Sequence, residues 1–349
     1  MSTLAPTRDE VRSDLRADRR GRRRRALIVN VALAVVVVAL TMVTLTMGSV
    51  RLSARQVLLS LLGVMDNEAV NFVVQGIQWP QAKSALATGL ALGLAGTLFQ
   101  QLLRNPLASP DFVGISSGAS VAAVAGIVIY DFGGIGIPAL AVLGALVSSV
   151  LMYVLAWKDG VSGYRFILIG IGISSFMFGL VSYLLTHSRL QEAREAMHWL
   201  TGSVGQSGPT EVNALLIALA VLVPLSLVLR RMLRALELGD DTARVLGTRA
   251  ELARVVLIAV AVVLTGLATA VAGPLLFVAL VAGPIADRLL GPAAGGLLAA
   301  AAVGAAVVLT SDYIAVNLMP TQLPTGVITG AVGAPYLLWL LATTNREST

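Results

Sequence analysis

The feature that most constrains this chain is a series of apolar blocks that are each long enough to cross a membrane. A helix needs roughly 20 apolar residues to span about 30 Å of hydrocarbon, and the sequence has room for about ten such blocks. Charged residues make up only 13% of the 349 positions and hydrophobic residues 56%, whereas soluble domains carry about 25% charged residues. So few charges cannot cover a soluble surface. The sequence therefore predicts an all-α polytopic membrane protein.

The chain divides into a basic tail at residues 1–25, a ten-span domain at 26–343 and a short tail at 344–349. A cleaved signal peptide has a shorter apolar core than the first block, so we expect this block to remain as a helix. The predicted spans cover residues 26–47, 82–103, 112–130, 137–157, 165–186, 213–230, 254–272, 274–290, 293–310 and 325–343.

The distribution of arginine and lysine predicts which side of the membrane each loop occupies. Nine of the 25 basic residues precede residue 26; of the other 16, 11 fall on the side of the N-terminal tail and 5 on the far side. Because cytoplasmic loops are enriched in these residues, we expect both termini in the cytoplasm and the tail arginines against anionic lipid headgroups. This placement explains the basic composition without a nucleic-acid partner.

Glycines recur at four-residue or similar spacing inside two predicted spans. They are Gly89, Gly93 and Gly96 in one span and Gly326, Gly330 and Gly333 in another. Small residues at such spacing let helix backbones approach closely in lipid. We expect these contacts to be made mainly within the chain.

The sequence offers no machinery for catalysis. Neither lysine lies in a G-x-x-x-x-G-K-[ST] loop, so the chain has no phosphate cradle of its own. Residues 114–118 match the G-x-S-x-G pattern and residues 205–208 resemble the G-x-S-G of intramembrane proteases, but no histidine follows on a later span. His187 and His198 lack carboxylates at ligand spacing, and the chain has no cysteine. We therefore expect no enzyme activity, no metal and no cofactor bound by this chain.

The longest charged segment between spans, residues 230–254, is predicted to form a short surface helix. Gly239 and Gly247 supply its stops. Its apolar stripe consists of Leu236, Leu238, Val245 and Leu246. An apolar stripe among mixed charges indicates a helix that docks on a partner.

Five motifs occur in order between residues 84 and 340. They are L-A-G through Q-x-x-x-R-N-P-L-A-S-P and G-I-S-S-G-A at 94–119, H-W-L-T-G-S at 198–203, L-G-D-D-T-A-R-V-L-G at 238–247, G-P with F-V-A-L at 273–280, and L-P-T-G-V-I-T-G through G-A-P at 323–335. Together they resemble the FecCD-type permeases of iron-siderophore and cobalamin ABC importers. In the first motif, the matching family residues are Asn105, Pro106, Leu107, Pro110, Gly114 and Gly118.

The resemblance implies a type II ABC importer permease fold in the cytoplasmic membrane. The chain would be a non-catalytic subunit that pairs with a second permease, identical or homologous. ATP-binding subunits on the cytoplasmic face would use the ATP, and an extracytoplasmic binding protein would deliver the cargo. That cargo would be a ferric siderophore, with cobalamin or haem as the alternative.

The resemblance also assigns roles to particular residues. Coupling to the ATPase would fall on the stretch 237–247, in particular on Leu238, Gly239, Asp240, Asp241, Ala243, Arg244, Leu246 and Gly247. A cytoplasmic gate would form near Ser162 and Gly163, and the pathway would be lined by Ser174 and Ser175.

The chain departs from the family at the positions that contact the binding protein. The family usually carries R-x-P-R before its second span, where this chain has Gln78 and Gln81, and a further arginine where it has Val316. Arg51 and Arg55 are candidate substitutes for docking. One hypothesis is a heterodimer whose other subunit keeps the arginines, while a homodimer stays open.

An ion-coupled secondary transporter is a different class that would need no ATPase. Such a protein is expected to place ionisable groups in the middle of its spans. Asp111, Asp287 and Asp312 all fall near the ends of predicted spans, which argues against this alternative.

Overall fold

The computed structural model describes residues 8–48, 50–111, 113–157, 163–291 and 296–344. In these residues the chain forms fourteen α-helices and one π-helical segment, Phe72–Gln78. The helices are α1 (Arg8–Thr46), α2 (Ala54–Leu61), α3 (Glu68–Asn71), α4 (Trp79–Leu103), α5 (Ile115–Tyr130), α6 (Gly136–Ala156), α7 (Gly163–His187), α8 (Leu190–Thr201), α9 (Pro209–Glu237), α10 (Asp240–Val245), α11 (Ala250–Ala272), α12 (Val278–Leu290), α13 (Leu297–Asn317) and α14 (Thr325–Thr344).

The prediction of an all-α membrane protein is confirmed, and the described residues contain no β-strand. Seven helical stretches are long and apolar enough to cross a membrane: Arg20–Thr46, Glu68–Leu103, Gly136–Ala156, Tyr164–His187, Pro209–Glu237, Ala250–Ala272 and Leu297–Asn317. Two apolar helices are shorter, Ile115–Tyr130 and Thr325–Leu340. The remaining predicted span corresponds to α12, which has only 13 residues.

Several helix boundaries differ from the predicted spans, including the starts of α1 and α12. Helix α1 begins at Arg8, so residues 8–25 of the predicted tail continue the first span as helix, with an Arg22–Asp18 ion pair of 2.6 Å one turn apart. Helix α12 begins at Val278, and residues 273–277 before it are not helical. The interruption has a local cause, since Gly273 has φ +67° and the Pro274 that follows has no N–H to donate.

The helices pack around α4, with α11, α12 and α13 against it. The apolar stretch of α4 is 78% buried, whereas that of α1 is not buried at all. Burial of α4 depends on small residues, because a Cβ at Gly93 would overlap the Ala300 carbonyl oxygen and one at Gly96 would overlap that of Ala279. Gly93 and Gly96 therefore pack within the chain as expected, whereas nothing lies within 4 Å of a Cβ added at Gly330.

We call the end of the bundle that carries Arg25, Arg104, Arg234 and Arg288 the basic end, and the other end the opposite end. Helix α4 runs from the opposite end at Trp79 to the basic end at Leu103. Its first turn follows the π-helical segment, where Trp79 donates its backbone N–H to Val74. Pro80 cannot donate to the carbonyl four residues earlier, which accounts for the wider turn at this position.

Helix α12 contains a proline that leaves one backbone carbonyl without its usual N–H donor, and a side chain of another helix supplies that donor. Pro284 has no N–H for the carbonyl of Leu280, four residues earlier. Gln100 of α4 supplies the missing donor, with its Nε2 2.8 Å from that oxygen, and the same nitrogen lies 2.9 Å from the Pro106 carbonyl. One buried amide therefore fixes α12 and the loop after α4 together.

We predict that Gln100→Leu destabilises the fold by leaving the Leu280 and Pro106 carbonyls without a side-chain donor. Each unsatisfied buried group costs about 1–3 kcal/mol. Thermal unfolding in detergent, followed by size-exclusion chromatography, should give a clearly lower midpoint for this variant. Gln101→Leu is the matched control, and equal midpoints for the two variants would refute the assignment.

Candidate functional site

At the basic end, the predicted short surface helix is present as α10. Gly239 and Gly247 flank it with φ +112° and +77°, conformations that suit glycine. Ala243, on the inner side of this helix, is fully buried, whereas Leu238, Val245 and Leu246 are 66%, 87% and 61% exposed.

Asp241 and Arg244 of α10 face outwards together with these apolar side chains. Arg244 and Asp241 lie 3.8 Å apart and both are exposed. Leu236 was predicted to belong to the exposed stripe, but it is 2% exposed. It lies in the last turn of α9 and packs into the core instead.

The first motif contacts the segment just before the third motif, beside α10. The Arg104 guanidinium donates to the Leu236 carbonyl, and Arg104 itself ends α4 in a left-handed conformation with φ +50°. Asn105 accepts the backbone N–H of Leu107 at 2.9 Å, which closes the turn that follows. The turn after α4 and the segment before α10 are thus both bonded to the end of α4.

The rest of the first motif joins α5 to its neighbours. Ile115 donates its N–H to the Pro110 carbonyl at 3.4 Å. Ser148 of α6 donates to the Gly114 carbonyl at 2.7 Å. A Cβ at Gly118 would overlap Ser148, so this glycine permits the close packing of α5 against α6.

Both serine motifs have structural partners. Ser116 donates to one Asp111 oxygen at 2.8 Å, and Ser109 donates to the other at 3.1 Å. Burial raises the pKa of the Asp111 carboxyl, and these two hydrogen bonds oppose the rise. Ser207 donates to the Val271 carbonyl at 2.7 Å and so caps the end of α11.

The two histidines bond to groups other than these serines. His187 Nδ1 lies 2.9 Å from the Tyr183 carbonyl oxygen on α7. His198 Nδ1 lies 3.0 Å from Gln206 Nε2, which joins α8 to the loop before α9. No group of three potential metal ligands occurs in the described part of the chain.

At the opposite end, glycines of the second, fourth and fifth motifs meet at one point. Gly326 donates its N–H to the Gly202 carbonyl at 2.9 Å, and a Cβ on Gly326 would overlap the Thr201 carbonyl oxygen. A Cβ on Gly273 would come within 2.9 Å of the Gly202 Cα. All three glycines belong to the motifs found in the sequence, but the sequence did not predict that they meet.

The buried carboxylate of Asp312 accepts hydrogen bonds from two other helices in the same region. Asp312 of α13 is 1% exposed and accepts from Gln81 Nε2 at 3.2 and 3.1 Å and from Thr325 Oγ1 at 3.1 Å. Thr325 in turn accepts the backbone N–H of Val204 at 3.3 Å. This network joins α4, α13, α14 and the loop before α9, and it was not predicted.

The four residues considered for docking occupy different environments. Arg51 and Arg55 are exposed near α2. Gln78 is 3% exposed and donates to the Val50 carbonyl at 2.8 Å, while Gln81 points to Asp312 as described. Only the two arginines therefore present side chains on the surface of the opposite end.

Two neighbouring cavities of about 580 and 620 Å³ open at the opposite end. They share His198, Gln206 and Ser207 as lining residues. Gln81 and Val316, two positions where the family carries arginine, line the second cavity, so its wall is neutral there.

Helix α7 presents a largely exposed side, with only 17% of its apolar stretch buried. Ser175 is exposed and donates to the Ile171 carbonyl at 2.9 Å, whereas Ser174 is partly covered and faces Gly114. Gly163 begins the helix, and Ser162 lies outside the described residues.

Comparison with known proteins gives consistent matches over nearly the whole chain. A profile of the FecCD transport family matches residues 35–343. The ferric enterobactin transport system permease FepG of Escherichia coli is 39% identical, over 93% of this chain and 98% of its own length. The hemin transport system permease HmuU of Yersinia pestis is 34% identical, over 88% and 93% of the two chains.

A cobalamin import permease and a solved structure extend this comparison. BtuC of Halobacterium salinarum is 33% identical over 78% of this chain and 74% of its own length. The solved structure is a metal-chelate type ABC transporter in an inward-facing conformation, with a TM-score of 0.79, 24% identity and coverage of 91% and 99%. This similarity to a solved structure shows the fold of the chain and nothing about its function.

We predict that Gly326→Ala lowers stability, because its methyl group would overlap the Thr201 carbonyl oxygen and overpacking costs about 1–3 kcal/mol or more. Gly330→Ala in the same helix has open space around it and should be near neutral. Comparison of the two thermal unfolding midpoints checks this. If Gly326→Ala unfolds at the same temperature as Gly330→Ala, the close contact at Gly326 does not limit stability.

Proposed function

The chain belongs to the FecCD transport family, and from that premise we propose that it is the membrane permease of an ATP-driven importer of ferric siderophores. It is a multi-pass membrane protein of an ABC importer family and a non-catalytic transport subunit. We further propose ten spans, with α12 as a half-length eighth span, and both termini in the cytoplasm.

The observation that carries the proposal is the exposed apolar surface of α10 at the basic end. Leu238, Val245 and Leu246 present their side chains to solvent beside a charged rim of Asp241 and Arg244. Three exposed apolar groups in and next to a short, glycine-bounded helix fit a groove in an ATP-binding subunit. The sequence has no nucleotide cradle, so the ATP would be used by that partner.

The cargo is proposed from the relatives. The relative at 39% identity is a ferric enterobactin permease, and achromobactin and Fe(3+)-citrate permeases match at 36% and 34%. Haem and cobalamin are the alternatives, supported by the hemin and cobalamin permeases at 34% and 33%.

The remaining roles are proposed for the transport cycle. ATP-driven movement of α10 would rock the spans between inward-open and outward-open arrangements. Ser175 on the exposed side of α7, with Ser174 beside it, would line the pathway, and the turn at Ser162 and Gly163 would gate its cytoplasmic end.

The outer contacts are proposed separately. Arg51 and Arg55 would contact the extracytoplasmic binding protein, since Gln78 and Gln81 turn inwards. A second permease subunit would complete the pathway. Isolation of the native complex would separate a homodimer from a heterodimer with an arginine-bearing partner.

The central test is a double variant, Val245→Asp with Leu246→Asp. Both side chains are exposed, so the fold should survive, but two desolvated apolar contacts would be lost. We expect binding of the ATPase to weaken about tenfold or more and uptake of ferric siderophore into proteoliposomes to fall with it.

Val64→Asp is the matched control, since Val64 is similarly exposed, at 65%, on the opposite end. It should transport as the unaltered protein does. Uptake at full rate in the double variant, or with no ATPase present, would overturn the proposed function. Uptake driven by an imposed ion gradient alone would support the secondary transporter instead.

We also predict that Ser116→Ala and Ser207→Ala retain most of their transport rate. Each hydroxyl makes a structural hydrogen bond, whose loss costs about 0.5–1.5 kcal/mol of stability and removes no nucleophile. Uptake rates measured at equal amounts of folded protein check this. A near-complete loss of uptake in a variant that folds normally would show that the hydroxyl takes part in the chemistry.

A further inference from the structure

Two arginines from different helices lie at the last turn of α12: Arg288 belongs to that turn, and Arg25 of α1 contacts it. Arg25 of α1 lies against it, with Nε 3.2 Å from the Leu289 carbonyl oxygen. Its guanidinium also covers Gly291, where an added Cβ would come within 3.0 Å of an Arg25 nitrogen. Arg25 thus supplies a donor to a carbonyl at the end of a helix, where such groups lack intrahelical partners.

The Arg288 side chain extends from the same turn towards α14. Its guanidinium carbon lies 4.3 Å from the centre of the Trp339 ring, and one of its nitrogens lies 3.4 Å from the Tyr336 hydroxyl. The two aromatic rings are themselves 5.7 Å apart. An arginine stacked on tryptophan keeps its orientation, while its remaining N–H groups stay available.

Neither guanidinium is neutralised by a carboxylate within 4 Å in the described residues. Both side chains are exposed. The adjacent Asp287 accepts a backbone hydrogen bond from Gly296, and its charge repels that of Glu237. The end of α12 therefore carries two fixed positive charges that lack an anion.

The position of these two charges along the bundle indicates their depth relative to the membrane. Ala26 and Leu27 begin the apolar stretch of α1 directly after Arg25. Leu289 and Leu290 are the last apolar residues of α12, and Arg25 contacts the first of them. The hydrocarbon boundary therefore runs through this turn, which is the depth at which lipid phosphates lie.

We propose that Arg25 and Arg288, with Trp339 and Tyr336 beside them, form a binding site for the headgroup of an anionic phospholipid. The guanidinium groups bind the phosphate through charge-assisted hydrogen bonds. The aromatic rings lie against the upper acyl chain, as tryptophan and tyrosine do at membrane interfaces. The exposed Arg23 and Arg24 of α1 add to the positive field around the site.

Free phosphate offers the same chemistry as the headgroup, so the experiment must separate the two. The location at the hydrocarbon boundary favours the lipid, because inorganic phosphate gains nothing from the aromatic rings. The proposal does not depend on which cargo the protein carries or on whether an ATPase binds it.

The test is native mass spectrometry of the full chain with phosphatidylglycerol or phosphatidylcholine added at known concentrations. Removal of one arginine from an anionic membrane contact weakens binding about fivefold. We therefore expect phosphatidylglycerol to bind about fivefold more weakly to Arg25→Gln and to Arg288→Gln, and about 25-fold more weakly to the double variant. Phosphatidylcholine binding should not change.

Arg189→Gln is the matched control, since that side chain is exposed at the opposite end. It should bind phosphatidylglycerol as the unaltered protein does. If the double variant is unstable, Arg288→Lys retains the charge and should keep most of the affinity. Unchanged phosphatidylglycerol binding in both glutamine variants would overturn the proposal, as would displacement of the lipid by millimolar inorganic phosphate.

Discussion

Close backbone contact is the constraint on which this membrane protein depends. Lipid tails are as apolar as leucine, so burial of apolar side chains does not drive helix association, and packing must do so. Glycines along α4 allow α12 and α13 to approach with carbonyl oxygens where a methyl group would otherwise stand. The same device recurs at the opposite end, where Gly202, Gly273 and Gly326 join three segments that are distant in sequence. Close packing in turn allows a few polar side chains to reach across helices.

Those polar side chains serve the places where the backbone cannot satisfy itself. Every backbone group in the hydrocarbon needs an internal partner. Gln100 bonds the carbonyl that Pro284 leaves without a donor, and Ser207 and the N–H of Ser203 bond carbonyls at the end of α11. These carbonyls in the interrupted α11–α12 region therefore have donors despite the break in the helix. Breaks of this kind place polar groups at defined depths in a membrane protein.

Much of the fold could be predicted from apolar block lengths and from arginine placement, and the ordered motifs predicted the family. The helix at α10 was predicted because its glycine stops and charges are local signals. Sequence could not reveal which way a side chain points in three dimensions. Gln78 and Gln81 were considered for docking through their motif positions, yet they turn towards Val50 and Asp312. Leu236 belongs to the same run of apolar residues as Leu238, but the end of α9 buries it. The glycine junction depends on long-range pairing, which a single sequence does not show.

The bond between Arg104 and the Leu236 carbonyl has a mechanical consequence. It connects the segment before α10 to the residue that caps α4, and α4 runs without interruption for 25 residues, about 37 Å, with Gln81 and the Asp312 network in its first turn. A helix of this kind is stiff along its axis. Displacement at one surface of the membrane would reach the other surface as movement of a single rod, with no intermediate linkage to absorb it.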